Sequence, residues 1–452
     1  MRVFLKILGW LAALLAAAVI ALFAWLWVAP PALIRVGSAY SAKIVCSNVF
    51  IAHRDAQAVL NDDVQAPGHP LLRLMRVRVD EKGQAVTAGL FGFLGKATAV
   101  AREGLGCASV PDGDVAAARA VSLPSEPPAA PSDSLWPEGD RVAASQDPAL
   151  AKILDDPAMT GPGMRAVVVA RAGRIVGERY GAGFSAETPL LGWSMTKTVN
   201  AAIVGTLVAA GRMSVDASDL LTAWSADERR SITLADLMAM SSGLAFNEDY
   251  GDVTDVTRML FLEPDMAGFA AAKPLAGETG RTWNYSSGTA VIISRLWQAA
   301  AGAQALEWPR RQLFGPLGMK SAVLETDESG TFVGSSYLYA TARDWARFGQ
   351  FLLQDGVWNG QRLLPPGFVN WMREPAPASG GSYGMGQLWL EGPGGPPSDP
   401  SLPADTFWLI GHDGQTVAVV PSRQLVVVRM GLTPSKYGYR PQNLVSALAA
   451  TH

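Results

Sequence analysis

A chain of 452 residues exceeds what a single hydrophobic core usually organises, so more than one unit is expected. Its 49% hydrophobic and 17% charged residues suffice for large buried elements and a membrane segment besides. The net charge of −3, without a basic block, removes the electrostatic basis for nucleic-acid binding. Four scattered histidines and two cysteines form no metal-binding pattern, so neither a metal nor a cofactor is expected.

From Ile7 to Val28 the chain carries no charge. At about 1.5 Å per residue this run spans a bilayer core of about 30 Å. Arg2 and Lys6 precede it, which points the N-terminus to the cytoplasm, and Trp25 and Trp27 fit an interfacial belt. A cleaved signal peptide would have a shorter apolar region, about 7–15 residues, and a small-x-small site. Here Pro30-Pro31 follows directly, and the next small residues, Ser38 to Ala42, lie well downstream. Residues 1–31 are therefore read as an uncleaved, single-pass anchor in a bacterial-type inner membrane, with the remainder on the periplasmic side. A lipid anchor on Cys46 is not expected, because Val45 is too large for the preceding position.

Residues 32–120 are read as a small unit with strands. Leu71 to Val79 alternates, Glu81-Lys82-Gly83 turns, and Ala85 to Gly89 returns. Gly92-Phe93-Leu94-Gly95-Lys96 has the wrong spacing for a phosphate loop, and Ala97 stands where a hydroxyl should bind the metal, so it is read as a turn. Cys46 and Cys107 can pair in an oxidising compartment or remain buried thiols. No chemistry is visible in this unit. Residues 121–144 follow as a linker, with Pro124, Pro127, Pro128, Pro131 and Pro137 between Ser122 and Asp140.

Residues 145–452 are long enough for an enzyme domain. Arg165 to Arg171 reads as a buried strand, Ala172-Gly173 as a turn and Ile175 to Tyr180 as the returning strand. A second hairpin, Thr416 to Val420 and Leu425 to Met430, turns at Pro421-Ser422-Arg423, and a helix from Pro441 to Ala450 follows. Helical patterns cover 197–211, 233–240, 288–301, 304–313 and 341–354. Strands at both ends with helices between predict one antiparallel sheet, assembled from both ends of the domain. Helices flank it, and an all-helical subdomain is inserted.

Three stretches carry chemistry. In Gly192-Trp193-Ser194-Met195-Thr196-Lys197, a serine and a lysine three apart share one face at a helix start. The hydroxyl needs a base, and a lysine serves if burial lowers its pKa from about 10.4. By itself the pair is also what a surface serine and lysine would look like. Trp283-Asn284-Tyr285-Ser286-Ser287-Gly288 places a phenol before another helix. That phenol takes or donates a proton if a cation, such as Lys197, lowers its pKa from about 10. Gly411-His412-Asp413-Gly414-Gln415 precedes a strand whose backbone N–H could face an oxyanion.

In this order, S-x-x-K, Y-x-S and H-x-G resemble the motifs of the penicillin-recognising serine hydrolases: β-lactamases, D,D-peptidases and related esterases and amidases. Ile232 to Leu244 (ITLADLMAMSSGL) and Phe314 to Met319 (FGPLGM) are similar to two further signatures of that family. Phe246-Asn247-Glu248-Asp249-Tyr250 and the stretch around Tyr285 look most like 6-aminohexanoate-dimer hydrolases. The resemblance covers roughly 145–450. It implies a β-lactamase/transpeptidase-like α/β (α+β) fold, with Ser194 as nucleophile and Lys197 and Tyr285 sharing the proton transfers. It also implies an oxyanion hole from the N–H groups of Ser194 and of Gln415, on an edge strand. His412, Gly414 and Ser287 line the site, and Tyr250 contacts the substrate or the leaving amine. The third motif lacks the lysine that would pair with a β-lactam carboxylate, and Ser287 stands where an asparagine is usual. Both changes point away from β-lactams and towards a small amide or ester. No glutamate can be assigned as a separate deacylating base. The rival readings are a D,D-peptidase or β-lactamase, a Ser–His–Asp triad through His412, and a non-catalytic membrane-anchored binding protein.

Overall fold

The computed structural model describes residues 1–123, 132–143, 145–395 and 399–451. Pro124, Pro127, Pro128 and Pro131 of the expected linker lie outside the described residues. The chain forms two compact units. One comprises Met1–Ala101, Cys107–Ala116 and Asp249–Pro264, and the other Arg102–Gly106, Ala117–Glu248 and Asp265–His452.

In the first unit, helix α1 (Arg2–Val28) buries none of its residues. It is long and apolar enough to cross a membrane, with a mean hydropathy of 2.6 over an 18-residue stretch. Helix α2 (Ala32–Phe50), which the sequence reading did not anticipate, covers a four-stranded antiparallel meander. Its strands are β1 (Met75–Asp80), β2 (Ala85–Leu90), β3 (Leu94–Arg102) and β4 (Gly106–Ser109). The strand expected from Leu71 begins only at Met75, because Pro70–Leu74 forms a 3-10 turn that His69 caps by accepting the Leu71 N–H. Gly92 and Phe93 turn as expected, but Gly95 and Lys96 already belong to β3. Cys46 of α2 and Cys107 of β4 are joined by a disulfide with their Cα atoms 6.1 Å apart. A short helix, Asp255–Leu262, completes this unit, with Phe261 edge-on to Tyr40 of α2 at 5.5 Å.

The second unit is built on a five-stranded antiparallel sheet. Its strands are β5 (Met164–Arg171), β6 (Arg174–Tyr180), β7 (Phe407–Gly411), β8 (Gln415–Val420) and β9 (Leu425–Gly431), in spatial order β7-β8-β9-β5-β6. The two predicted hairpins are therefore joined through the β9–β5 ladder, which pairs Val427 with Val169 and Val428 with Val168. Successive residues face opposite sides of the sheet. Val167, Val169, Val420 and Val427 pack with Leu150, Leu154, Leu444 and Leu448, the last two on the helix Pro441–Ala450. On the other face, Val417 and Val426 meet Gly349 of the helix Ala342–Leu353. Both faces are covered, so these strands read as continuous valine runs rather than alternating ones. Each valine buried this way contributes roughly 1.5–3 kcal/mol.

Between the two hairpins come the helices, among them α3 (Thr196–Ala209) and α4 (Ser287–Ala301). The helix expected over 304–313 starts later: Gly302–Gln304 is a 3-10 turn, and helical backbone runs unbroken over 308–317, widened at Arg310–Phe314. Pro309 lies in the first turn of this run, where an N–H would have no intrahelical partner, and so marks its start. The sequence reading also missed edge strand β7. Its run Phe-Trp-Leu-Ile lacks the alternation that marks a half-exposed strand.

Candidate active site

Ser194 sits in a single 3-10 turn, Trp193–Met195, immediately before α3. The preceding residue, Trp193, has a φ of +48°, a conformation uncommon for a bulky side chain. Two glycines make this turn possible. A Cβ on Gly192 would come within 2.2 Å of the Trp345 ring, and one on Gly411 within 2.2 Å of the Gly192 carbonyl oxygen. The end of β7 and the turn that carries Ser194 thus meet backbone to backbone. The result is a partly exposed serine above a buried lysine.

Helices α3 and α4 are cross-linked at two levels about one turn apart. At the lower level, Asn200 of α3 donates to the Ala290 carbonyl and accepts from Trp297 Nε1 and Ser294 Oγ. At the upper level, Lys197 Nζ reaches Ser287 Oγ at 3.1 Å. Nζ also lies 3.0 Å from Ser194 Oγ and donates to the Ser335 carbonyl at 3.0 Å. Ser286 caps α4 by accepting the Thr289 N–H, which fixes where Ser287 enters the site. Burial lowers the Lys197 pKa to about 8, although the nearby Glu248 carboxylate pulls it the other way. A substantial neutral fraction therefore exists at mildly alkaline pH.

Tyr285 also lies at this cluster. Its ring face sits 4.7 Å from Lys197 Nζ, measured to the centroid. Trp389, Tyr383 and Trp283 surround it, with ring centroids 5.4, 5.8 and 6.3 Å away. A cation was expected to lower the phenol's pKa. Instead burial, reinforced by Glu248, pushes it well above the ordinary value, and a hydrogen bond with Ser194 opposes this only in part. At neutral pH Tyr285 is a neutral phenol.

The third stretch differs from its expected placement. Gln415 is not on the edge strand: it opens β8, paired with Gly411 at the end of β7. The tight turn His412–Gly414, with Asp413 at φ +56° and Gly414 at +89°, closes directly onto the Gly411–Gln415 pair. The Gln415 side chain points into the sheet, donating to the Gly431 carbonyl and accepting the Gly431 N–H at 2.9 Å. Gly414 is held by Arg429, whose Nη1 donates to its carbonyl at 3.0 Å. The His412 ring packs edge-on against Trp193 at 5.6 Å, with Nε2 3.4 Å from the Asp413 carboxylate. Lys197, not His412, makes the contact with the Ser194 hydroxyl, which disfavours a Ser–His–Asp triad. Tyr250 falls in the segment Asp249–Pro264 of the other unit.

Two groups at the site were given no role by the sequence. The Ser335 carbonyl could not be identified, because a backbone acceptor leaves no mark in residue type. Glu248 lies two residues before Tyr250 in the F-N-E-D-Y stretch. Its carboxylate accepts the Ser287 hydroxyl at 2.5 Å and the Ser287 N–H at 2.8 Å. Burial raises its pKa, opposed by Lys197 and by both Ser287 bonds. A separate surface cleft, lined by Pro137, Glu138, Arg174, Gln354 and Trp358 among others, shares no residue with this cluster.

An antiparallel sheet flanked by helices, with a serine and a buried lysine one turn apart at a helix start, defines the class of serine hydrolases built on the β-lactamase/transpeptidase-like fold. Residues 155–448 match the beta-lactamase family model, and the chain belongs to that family. It is 26% identical over 220 residues to a 6-aminohexanoate-dimer hydrolase from Paenarthrobacter ureafaciens. That match covers 45% of this chain and 55% of the relative, so it spans about half of that protein's length. Among solved structures, the fold is shared with a Bacillus anthracis protein provisionally named a 6-aminohexanoate-dimer hydrolase. The identity is 24% and the TM-score 0.53, over 64% of this chain and 78% of that one. It is shared equally with a penicillin binding protein from Bacillus halodurans, at 17% identity and a TM-score of 0.52, over 67% and 99% of the two chains.

Proposed function

We propose that this protein hydrolyses an amide or ester bond through an acyl-enzyme on Ser194, as an amidase or esterase of the 6-aminohexanoate-dimer-hydrolase type. The observation that carries this reading is the Lys197 amine, buried, 3.0 Å from the Ser194 hydroxyl and lowered to about 8. Lys197 takes the Ser194 proton as Oγ attacks the substrate carbonyl carbon. The oxyanion accepts from the backbone N–H of Ser194. Tyr285, as a neutral phenol beside Ser194, relays the proton to the departing nitrogen or oxygen. Water then attacks the acyl carbon by the reverse route and frees Ser194. The apolar rings of Trp283, Tyr383 and Trp389 around Tyr285 suit an uncharged acyl chain better than a carboxylate. Helix α1 anchors the chain, with Arg2 and Lys6 on the cytoplasmic side and the hydrolase domain, residues 145–452, outside.

Labelling of the full-length protein in detergent with a fluorophosphonate tests the central claim. Ser194 should become modified, and Ser194→Ala should abolish the modification. A folded protein that takes up no probe would refute it. A panel of p-nitrophenyl esters, linear amides, D-alanyl peptides and nitrocefin then fixes the bond cleaved, with turnover expected on the first two groups.

A further inference from the structure

We propose that Glu248 is a positioning residue for the reaction at Ser194: by holding the proton of Ser287 it turns the lone pair of Lys197 towards the nucleophile. This inference rests on the reading of Ser194 and Lys197 as nucleophile and base, and it follows from counting hydrogens at three contacts.

A neutral lysine amine has two N–H bonds and one lone pair. Lys197 Nζ has three neighbours within 3.1 Å: the hydroxyls of Ser194 and Ser287 and the carbonyl oxygen of Ser335. The carbonyl can only accept, so it takes one N–H. A serine hydroxyl can donate or accept, so the other two contacts are ambiguous until something fixes them. Glu248 fixes one. Its Oε2 accepts the Ser287 N–H at 2.8 Å and its Oε1 lies 2.5 Å from Ser287 Oγ. In its ionised form Glu248 offers no hydrogen, so the Ser287 hydroxyl proton then points at Oε1 and its oxygen can only accept from Lys197. Both amine hydrogens are then committed, to Ser287 and to Ser335. The remaining lone pair faces Ser194 Oγ, where the general base needs it.

Without this lock, the Ser287 hydroxyl could itself donate to Lys197 and occupy the lone pair. Ser287 is fully buried, so no solvent competes to set its orientation. The second-motif residue thus works as a relay whose direction Glu248 determines. The charged and titratable groups facing Glu248 are Lys197, Tyr285, Tyr383 and His412. Lys197 is the one in line with both Ser287 and Ser194.

The test compares wild type, Glu248→Gln, Ser287→Ala and the double variant, as full-length protein in detergent. The fluorophosphonate labelling rate at Ser194 is read across pH. A glutamine would accept the Ser287 N–H through its oxygen and present its amide nitrogen to the hydroxyl, freeing the Ser287 proton. Glu248→Gln is expected to slow labelling about 10- to 100-fold on the high-pH plateau, the value of one hydrogen bond to a charged group. Its acid limb should move to lower pH, because a negative charge beside Lys197 is lost. Ser287→Ala should slow the plateau comparably without that downward movement, since Glu248 remains. On the Ser287→Ala background, Glu248→Gln should slow the plateau little further, because the relay is already absent. Glu248→Gln labelling at the wild-type rate, or costing the same on both backgrounds, overturns the proposal. Should Glu248→Gln fail to fold by circular dichroism, Ser287→Ala decides: a folded variant labelling at the wild-type rate overturns it, and a slowed one supports it. A wild-type protein that does not label at Ser194 refutes the hydrolase reading itself, a distinct result.

Discussion

Two buried cations in the catalytic unit, Lys197 and Arg429, look alike by exposure, at 1% and 0%. They differ in their neighbours. Arg429 donates to the carbonyls of Thr160, Pro162 and Gly414 and to the Thr433 hydroxyl, and its guanidinium stacks 4.6 Å from the centre of the Tyr439 ring. Carbonyl acceptors stabilise the charged form, and although burial lowers the Arg429 pKa, a guanidinium starts so high that it stays protonated. Lys197 has one carbonyl and two hydroxyls, and a hydroxyl can give a proton to a neutral amine. Burial of a cation therefore does not make a base. A base requires a residue able to lose its proton and a partner able to supply one.

The sharpest way to break this comparison is to give the Lys197 site an arginine. Lys197→Arg keeps a positive charge and donors but removes the lone pair, and Lys197→Ala removes both. Each should lower kcat/KM by about 10² to 10⁴ on the best ester of the panel. If Lys197→Arg turned over at a rate near that of wild type, Lys197 would be an electrostatic support like Arg429, and the base would lie elsewhere. Tyr285→Phe removes a hydroxyl that donates without ionising, so its loss should be smaller, about 10². The loss should grow with the basicity of the leaving group, so amides should suffer more than p-nitrophenyl esters.

Arg429→Met probes the structural member of the pair. The carbonyls of Thr160 and Gly414 lose their donor in an enclosed place, while that of Pro162 keeps the Thr433 hydroxyl. At roughly 1–3 kcal/mol for each unsatisfied buried group, partly relieved by relaxation, a loss of about 3 kcal/mol is expected in urea unfolding of the full chain. The pH midpoint of Ser194 labelling should stay where it is in wild type. A shift of that midpoint without loss of stability would show that Arg429 acts on Lys197 through its charge, contrary to the distinction drawn above.

Much of this unit was legible in the sequence, for a physical reason. A strand covered on both faces must be apolar throughout, and Arg165–Arg171 and Leu425–Met430 are; hence both hairpins were found to within a residue or two. Ser194, Lys197 and Ser287 were readable because side-chain chemistry at a helix start has a fixed spacing. The failures share a different cause. Edge strand β7, the Ser335 carbonyl and the inward placement of Gln415 depend on which backbone groups meet, and residue type does not encode that. Glu248 was in view within F-N-E-D-Y, but its role rests on contact with a serine 39 residues away. In the first unit, α2 was missed although it supplies one half of the disulfide.

The smallest expected effect concerns pH, and its sign separates the two cations once more. The base form of Lys197 is needed for attack, so kcat/KM should rise about tenfold per pH unit below a midpoint near 8 and level off above it. Stability should carry the same signature in a different window. Below pH 8 Lys197 holds its proton in both folded and unfolded chains, so it adds no slope. Between about 8 and its ordinary 10.5 the unfolded chain keeps a proton that the folded chain has released, so unfolding free energy gained from this site rises with pH. Lys197→Arg should lack that rise, because arginine stays protonated in both states across the window. Urea unfolding of both proteins at pH 8 and pH 10 measures the difference, with other titrating groups cancelling between them. Equal slopes in the two proteins would mean that Lys197 keeps its ordinary affinity for the proton, and that burial has not prepared it as a base.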